Sequence, residues 1–187
     1  QNELEEIEYF INKKKNDWFF ETQLDFKKSP IMVDFLNFEK KDETELSLVF
    51  KGNYLKNKGY NISSIILKDE LNIFELNNII LDKNFKIFSI NSANFNYLDR
   101  NGEKNILSIK KKNNDYKIIG KQLNAIKIID DLLLEDSKGK NNYFSKNFNL
   151  IINIDKVLIS KNEFINNLKG KLKLKNNEVT SAKFISE

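Results

Sequence analysis

The chain has no cysteine and no histidine, and among its 187 residues only one proline, six glycines and a single arginine, Arg100. Without Cys or His there is no Ser-His-Asp triad, no thiolate nucleophile, no imidazole or thiolate metal site and no disulfide framework. The six glycines are dispersed, so none forms a phosphate-cradling loop. Apolar runs such as Ile65-Ile66-Leu67 fall far short of the ~20 residues of a membrane helix. No apolar stretch of about 7–15 residues follows a basic start, so a secretory signal is not read here. Phe184-Ile185-Ser186-Glu187 reads like a strand stopped mid-course, and the expectation is a piece of a longer protein.

What is present is hydrophobic enough to fold. Apolar residues make up 40% of the chain and include fifteen Phe, which argues against intrinsic disorder. The length suits one domain with a real core. The net charge is +4, but every basic residue except Arg100 is Lys. Roughly one residue in six is Asn, and Ile is also abundant. An AT-rich genome writes Lys, Asn and Ile by default, so the basicity is assigned mostly to codon usage. Base and phosphate recognition favours Arg forks, and nucleic acid is not an expected partner.

Leu4, Ile7 and Ile11 fall at helical spacing and predict a helical tail over 1–15. From Trp18 the period becomes two: Trp18, Phe20, Leu24 and Phe26 share a parity, and Ser29-Pro30 ends the run. Ile31 to Phe38 is a second apolar segment, and Leu46, Leu48, Phe50 and Tyr54 again share one face. Turn residues at Asn57-Lys58-Gly59 lead into a β-meander, so that strands are expected throughout 18–120. Asn101-Gly102 is its strongest hairpin signal and suggests a type I′ turn. Elsewhere Asn is expected to take the left-handed turn positions that scarce Gly leaves open.

One helix interrupts the strands at 124–136, with Asn124 as N-cap and Ala125, Ile128, Ile129, Leu132 and Leu133 as its apolar stripe. Strands return over 147–187. Leu168, Gly170, Leu172 and Leu174 alternate with four lysines, and Val179 to Ile185 can pair back after an Asn176-Asn177 turn.

Carboxylates are the only acid–base groups left. Asp130, Asp131, Glu135 and Asp136 crowd one helix instead of converging across a cleft, and a solvated helix face is the better reading. Asp69, Glu70, Glu75 and Asp82 lack the spacing of a calcium loop, and Asp99 to Glu103 reads better as a plain hairpin. Exposed aromatics such as Trp18, Phe19, Phe20, Phe95 and Tyr97 can stack bases in principle, but their alternation favours a buried face. An apolar sheet face has to be buried on a second sheet, on a helix or around apolar ligand tails. The alternation leaves open a filled core and an open trough.

From Tyr116 onward the order of elements is similar to a known one. A strand ends in Gly120, two residues intervene, Leu123-Asn124-Ala125 follows, and a helix begins. A polar loop then leads to Phe148–Leu158, to Leu168-Lys169-Gly170-Lys171-Leu172 and to a return strand at Val179–Phe184. This resembles AsmA-like proteins with the uncharacterised central repeat region, in which Asp often stands where Asn124 does. The resemblance covers about 70 residues closely and the rest loosely. It implies a periplasmic, inner-membrane-anchored protein of a Gram-negative envelope, its anchor outside this chain, whose curled β-groove conducts phospholipid. It implies no catalytic residues and no cofactor.

The expected fold is therefore mainly β, an antiparallel curled sheet forming a groove or open sandwich, with the helix covering an end or seam. The expected function is non-enzymatic holding or bridging of phospholipid between inner and outer membranes. Strand parity nominates Leu48, Phe50, Ile87, Phe95, Ile152, Ile154, Leu172 and Leu174 as the acyl-chain wall, subject to the rule that a one-residue slip inverts a strand. The alternative is an extracytoplasmic β-sandwich with a closed core, serving as interaction or spacer domain.

Overall fold

A computed structural model describes residues 6–41, 44–56, 58–134, 144–176 and 178–187. The alternating stretches become strands, and eleven of them join one sheet. β1 (Glu6–Lys14), β2 (Asp17–Phe26), β5 (Leu46–Leu55), β6 (Gly59–Lys68), β7 (Ile73–Leu81), β8 (Ile87–Leu98), β9 (Lys104–Lys112) and β10 (Asp115–Asn124) are neighbours in that order. β11 (Phe148–Ser160), β12 (Glu163–Lys175) and β13 (Glu178–Ile185) complete it. The edge strands β1 and β13 are not paired to each other, so the sheet stays open. A two-stranded ribbon of β3 (Met32–Val33) and β4 (Phe38–Glu39) leaves the main sheet between β2 and β5.

All neighbouring pairs are antiparallel except β10 and β11. Those two are parallel, and the connection between them contains the only α-helix among the described residues, α1 (Ile126–Leu134). A parallel neighbour cannot be reached by a tight hairpin, so the chain has to cross over one face of the sheet. This is how a single helix comes to lie on an otherwise meandering sheet. The expected helix began at Asn124; here Asn124 ends β10, and positions 135–136 lie outside the described residues. The Asn124 side-chain oxygen still accepts the Ile126 N–H at 3.1 Å, the capping contact its position suggested.

The expected helical tail is a strand. Glu6–Lys14 pairs along its whole length with β2, placing Ile7 beside Leu24, Tyr9 beside Thr22 and Ile11 beside Phe20. Ile7, Tyr9 and Ile11 satisfy a period of two as well as Ile7 and Ile11 satisfy a helical spacing. A short solvated helix is marginal in water, whereas an adjacent strand edge offers backbone pairing together with cross-strand packing, and tertiary pairing decides. Residues 1–5 of that expected tail lie outside the described residues. The second apolar segment also differs: Ile31 to Phe38 is broken by a 3₁₀ turn at Asp34–Leu36, which ends at Asn37 in the left-handed region (φ 51°).

The β8–β9 hairpin forms where expected but not as a type I′ turn. Gly102 has φ 79°, whereas Asn101 is not among the positive-φ residues. The Gly102 N–H donates to the Asp99 carbonyl at 2.9 Å, and Asp99 N–H donates to Glu103 at 3.0 Å. This is the three-residue hairpin, a type I turn closed by a left-handed glycine, which matches strand twist as well as a primed turn does. The substitution of Asn for Gly holds elsewhere: Asn37, Asn78, Asn113, Asn167 and Asn176 all take positive φ.

Candidate functional site

Cross-strand partners share a face, so the register sorts side chains into rows running across the sheet. One row starts Ile7–Leu24–Leu48–Leu67, continues through Phe74, Phe95 and Leu107, and reaches Gly120, Ile154 and Leu168. The next runs Tyr9–Thr22–Phe50–Ile65–Leu76–Ala93 and then Ile109–Ile118–Ile152–Gly170–Phe184, one residue from each of the eleven strands. Thr22 is the one polar residue in the two rows. The other face reads Glu8–Gln23–Val49–Ile66–Glu75–Asn94–Ser108, a largely polar row. The sheet is thus amphipathic over its full width.

All eight nominated residues lie on the apolar face. Leu48, Phe95 and Ile154 stand in the first row and Phe50 and Ile152 in the second. Leu172 pairs with Leu150, and Leu174 with Phe148. Ile87 joins this face through Leu81, Tyr60 and Tyr54, and its carbonyl accepts the Ser145 N–H at 3.0 Å.

The structure divides these eight residues by what covers them. The β3–β4 excursion folds over one end of the face. Phe38, fully buried, sets its ring edge-on against Phe74 at 4.7 Å and Tyr97 at 6.2 Å, and Leu46, Ala93 and Phe95 complete that core. Arg100, the only arginine, holds the excursion down with Nη2 on Asp34 at 3.0 Å and Nε on Glu39 at 3.1 Å. Its backbone N–H donates to Asn37 at 2.8 Å. Such partly exposed ion pairs contribute little stability, so their role is to fix position. A second core forms where α1 meets β11, around Ala125, Ile154 and Val157, with Ile129 and Ile152 packed against it. Two nominated residues therefore need correction. Phe95 and Ile154 are core, closed off by the excursion and by α1, because parity identifies a face but not what lies over it. Leu48, Phe50, Leu172 and Leu174 are half-buried and belong to neither core.

Three glycines shape the apolar face. A Cβ on Gly120 would stand 2.5 Å from Leu107 and 3.0 Å from the Ile106 carbonyl, and one on Gly52 would meet Asn61 and the Phe20 ring. The Phe184 ring covers Gly170 in the same way. Neighbouring apolar groups fill the space of the missing side chains and approach the backbone directly, the pattern in which an aromatic ring rescues a strand glycine.

Where the two covers meet, the interior is polar. The Asp99 carboxylate accepts the N–H groups of Asn101 and Glu103, both at 2.9 Å, and the Asn124 side-chain amide at 2.6 Å. Asn105, fully buried, accepts the Asn124 backbone N–H at 2.7 Å and donates to the Glu103 carbonyl at 3.0 Å. This cluster locks the end of β10, and with it the start of α1, to the β8–β9 turn. Asp99 and Asn124 had each been read as a local feature, a turn and a cap. Nothing in a sequence so rich in Asn marks them as partners twenty-five positions apart.

Beside it the Tyr97 hydroxyl donates to the Leu36 carbonyl at 3.0 Å. Burial, with the Asp99 charge adding to it, pushes the Tyr97 phenol well above its usual value. An unfolded Tyr loses its proton near pH 10 while the folded one keeps it, so stability is fully present below about pH 10 and falls as pH rises beyond it. Urea midpoints for the protein should drop between about pH 8 and pH 11 by more than those of Tyr97→Phe, which removes this proton from the balance. Equal drops would show that Tyr97 does not carry the linkage.

A cavity of about 1060 Å³ at the sheet end is charged and lies between Glu39–Lys41, Thr44 and Glu45 on one side and the β6–β7 and β8–β9 turns on the other. Asp25, Lys40, Glu70 and Arg100 are among its walls. The apolar face itself is a surface, half-buried and open. No helix of the described residues is long and apolar enough to cross a membrane. No protein-family model, curated protein or solved structure matches the chain.

Proposed function

We propose that the uncovered part of the apolar face holds phospholipid acyl chains, and that the protein is a non-enzymatic lipid-holding or bridging segment of a cell envelope. The observation that supports this reading is the continuity of the two apolar rows, one across all eleven strands and the other across ten, with covers among the described residues over only one part of them. A closed sandwich would need a second sheet of comparable width, and the only other sheet among the described residues is the two-stranded β3–β4 ribbon. Each methylene laid against such a face contributes about 0.8 kcal/mol, while the head group stays in water. Leu48, Phe50, Leu172 and Leu174, with Ile87 and Ile152 beside the covers, are the residues assigned to this contact. The resemblance of residues 116–187 to AsmA-like proteins points the same way. On that resemblance the proposal extends to a periplasmic location, with an inner-membrane anchor outside this chain.

Organic extraction and mass spectrometry of the purified protein, with a mock purification alongside, test the proposal. Phospholipid at stoichiometric level is the expected result. A clean extract from folded, monomeric protein would overturn it and leave the sheet as a spacer or protein-binding element.

A further inference from the structure

The polar face of the sheet is not uniform, and its charge does not follow the even scatter that codon usage would produce. Residues 1–103 contain fourteen basic and eighteen acidic residues, whereas residues 104–187 contain seventeen Lys and nine acids. The register concentrates that excess. Lys110 and Lys117 stand directly opposite each other on β9 and β10, and Lys171 and Lys183 do so on β12 and β13, with Ile151 between the two pairs. Lys169 and Lys173 flank Lys171 on the same face of β12. All six lysines are exposed, and among the described residues none has an acidic partner within 4 Å. Like charges opposite one another destabilise a sheet, so the arrangement costs stability in the isolated protein and is relieved by an anionic partner.

We propose that this face of β9–β13 docks on an anionic lipid surface. Ile119 and Ile185, both exposed, stand in the row beside the lysines, so apolar and cationic groups alternate over one plane. That mixture suits a headgroup layer, where Lys is drawn to negative charge and short aliphatic groups reach the acyl boundary. A nucleic acid would call for Arg forks or stacking aromatics, and this set of rows contains neither. The proposal concerns the face opposite the apolar rows and does not depend on what those rows hold.

Vesicle co-sedimentation of the 187-residue protein tests it, with phosphatidylcholine vesicles alone and with about one third phosphatidylglycerol. Binding should require phosphatidylglycerol and fall at least about tenfold between roughly 0.05 and 0.5 M salt. The triple variant Lys117→Gln, Lys171→Gln, Lys183→Gln should bind about a hundredfold more weakly, at roughly fivefold for each lysine lost. Because it removes repulsion, its urea midpoint should equal or exceed that of the parent. Equal binding to phosphatidylcholine alone, unchanged binding of the triple variant, or release from vesicles by an equal charge of duplex DNA would each overturn the proposal. Lipid extraction reads the apolar face and vesicle binding the basic one, so one can fail while the other holds.

Discussion

Phe38→Ala should cost about 3–5 kcal/mol, the range for removing a buried phenyl group. Phe38 is the one fully buried residue of the β3–β4 ribbon, and its ring makes edge-on contacts with both Phe74 and Tyr97. Ile31, Val33 and Leu36 pack against the same core only as partly buried side chains, and the polar attachments of the ribbon are individually weak. The Arg100 ion pairs with Asp34 and Glu39 are partly exposed, and the Tyr97 hydrogen bond to Leu36 contributes about 1 kcal/mol. Losing the ring should therefore free the cover before it unfolds the sheet. Chemical denaturation measures the cost, and hydrogen exchange shows where it falls. Residues 31–39 should exchange faster than the amides of β9–β11, which keep their own core under α1. Uniform acceleration would mean that cover and sheet are one cooperative unit.

The sheet was legible because a strand with one wet face writes its burial as alternation. Leu168, Gly170, Leu172 and Leu174 against their lysines is the plainest case, and all eight residues nominated by parity share the apolar face. The helix was expected over an end or seam, though not which residues lie beneath it, and the β3–β4 cover was not legible at all. Two strands of two residues each and a three-residue 3₁₀ turn are too short to show a period. Phe38 looks like one more Phe until the fold lays it on Phe74. Hence Phe95 and Ile154 were nominated as open wall and are instead closed core. The parallel β10–β11 pair was equally hidden, since alternation carries no strand direction. The basic face was hidden for a different reason. Its lysines were visible, but only the register sets Lys110 against Lys117 and Lys171 against Lys183.

The division of the apolar face into closed and open parts gives the second large effect, a contrast between two identical substitutions. Ile154 is 2% exposed and packs with Ala125 and Val157 beneath α1. Ile154→Asp buries a carboxylate with no partner, a change that ordinarily costs more than about 4 kcal/mol and approaches the whole stability of a domain. It should abolish the folded state, and circular dichroism at ordinary temperature should show this directly. Leu172 lies in the same sheet, on the same face, one strand away, but belongs to neither core and is half-buried. An aspartate there keeps access to water, so Leu172→Asp should cost about 1–2 kcal/mol and leave the β spectrum intact. Its effect should appear in the lipid extract instead. A charge on the wall repels acyl chains from a surface that only methylene burial makes attractive, and phospholipid recovered per protein should fall several-fold. If Leu172→Asp also unfolds the protein, the face is closed there as well and the lipid reading loses its site. If it folds and retains lipid in full, the acyl chains lie elsewhere and the open rows serve another partner.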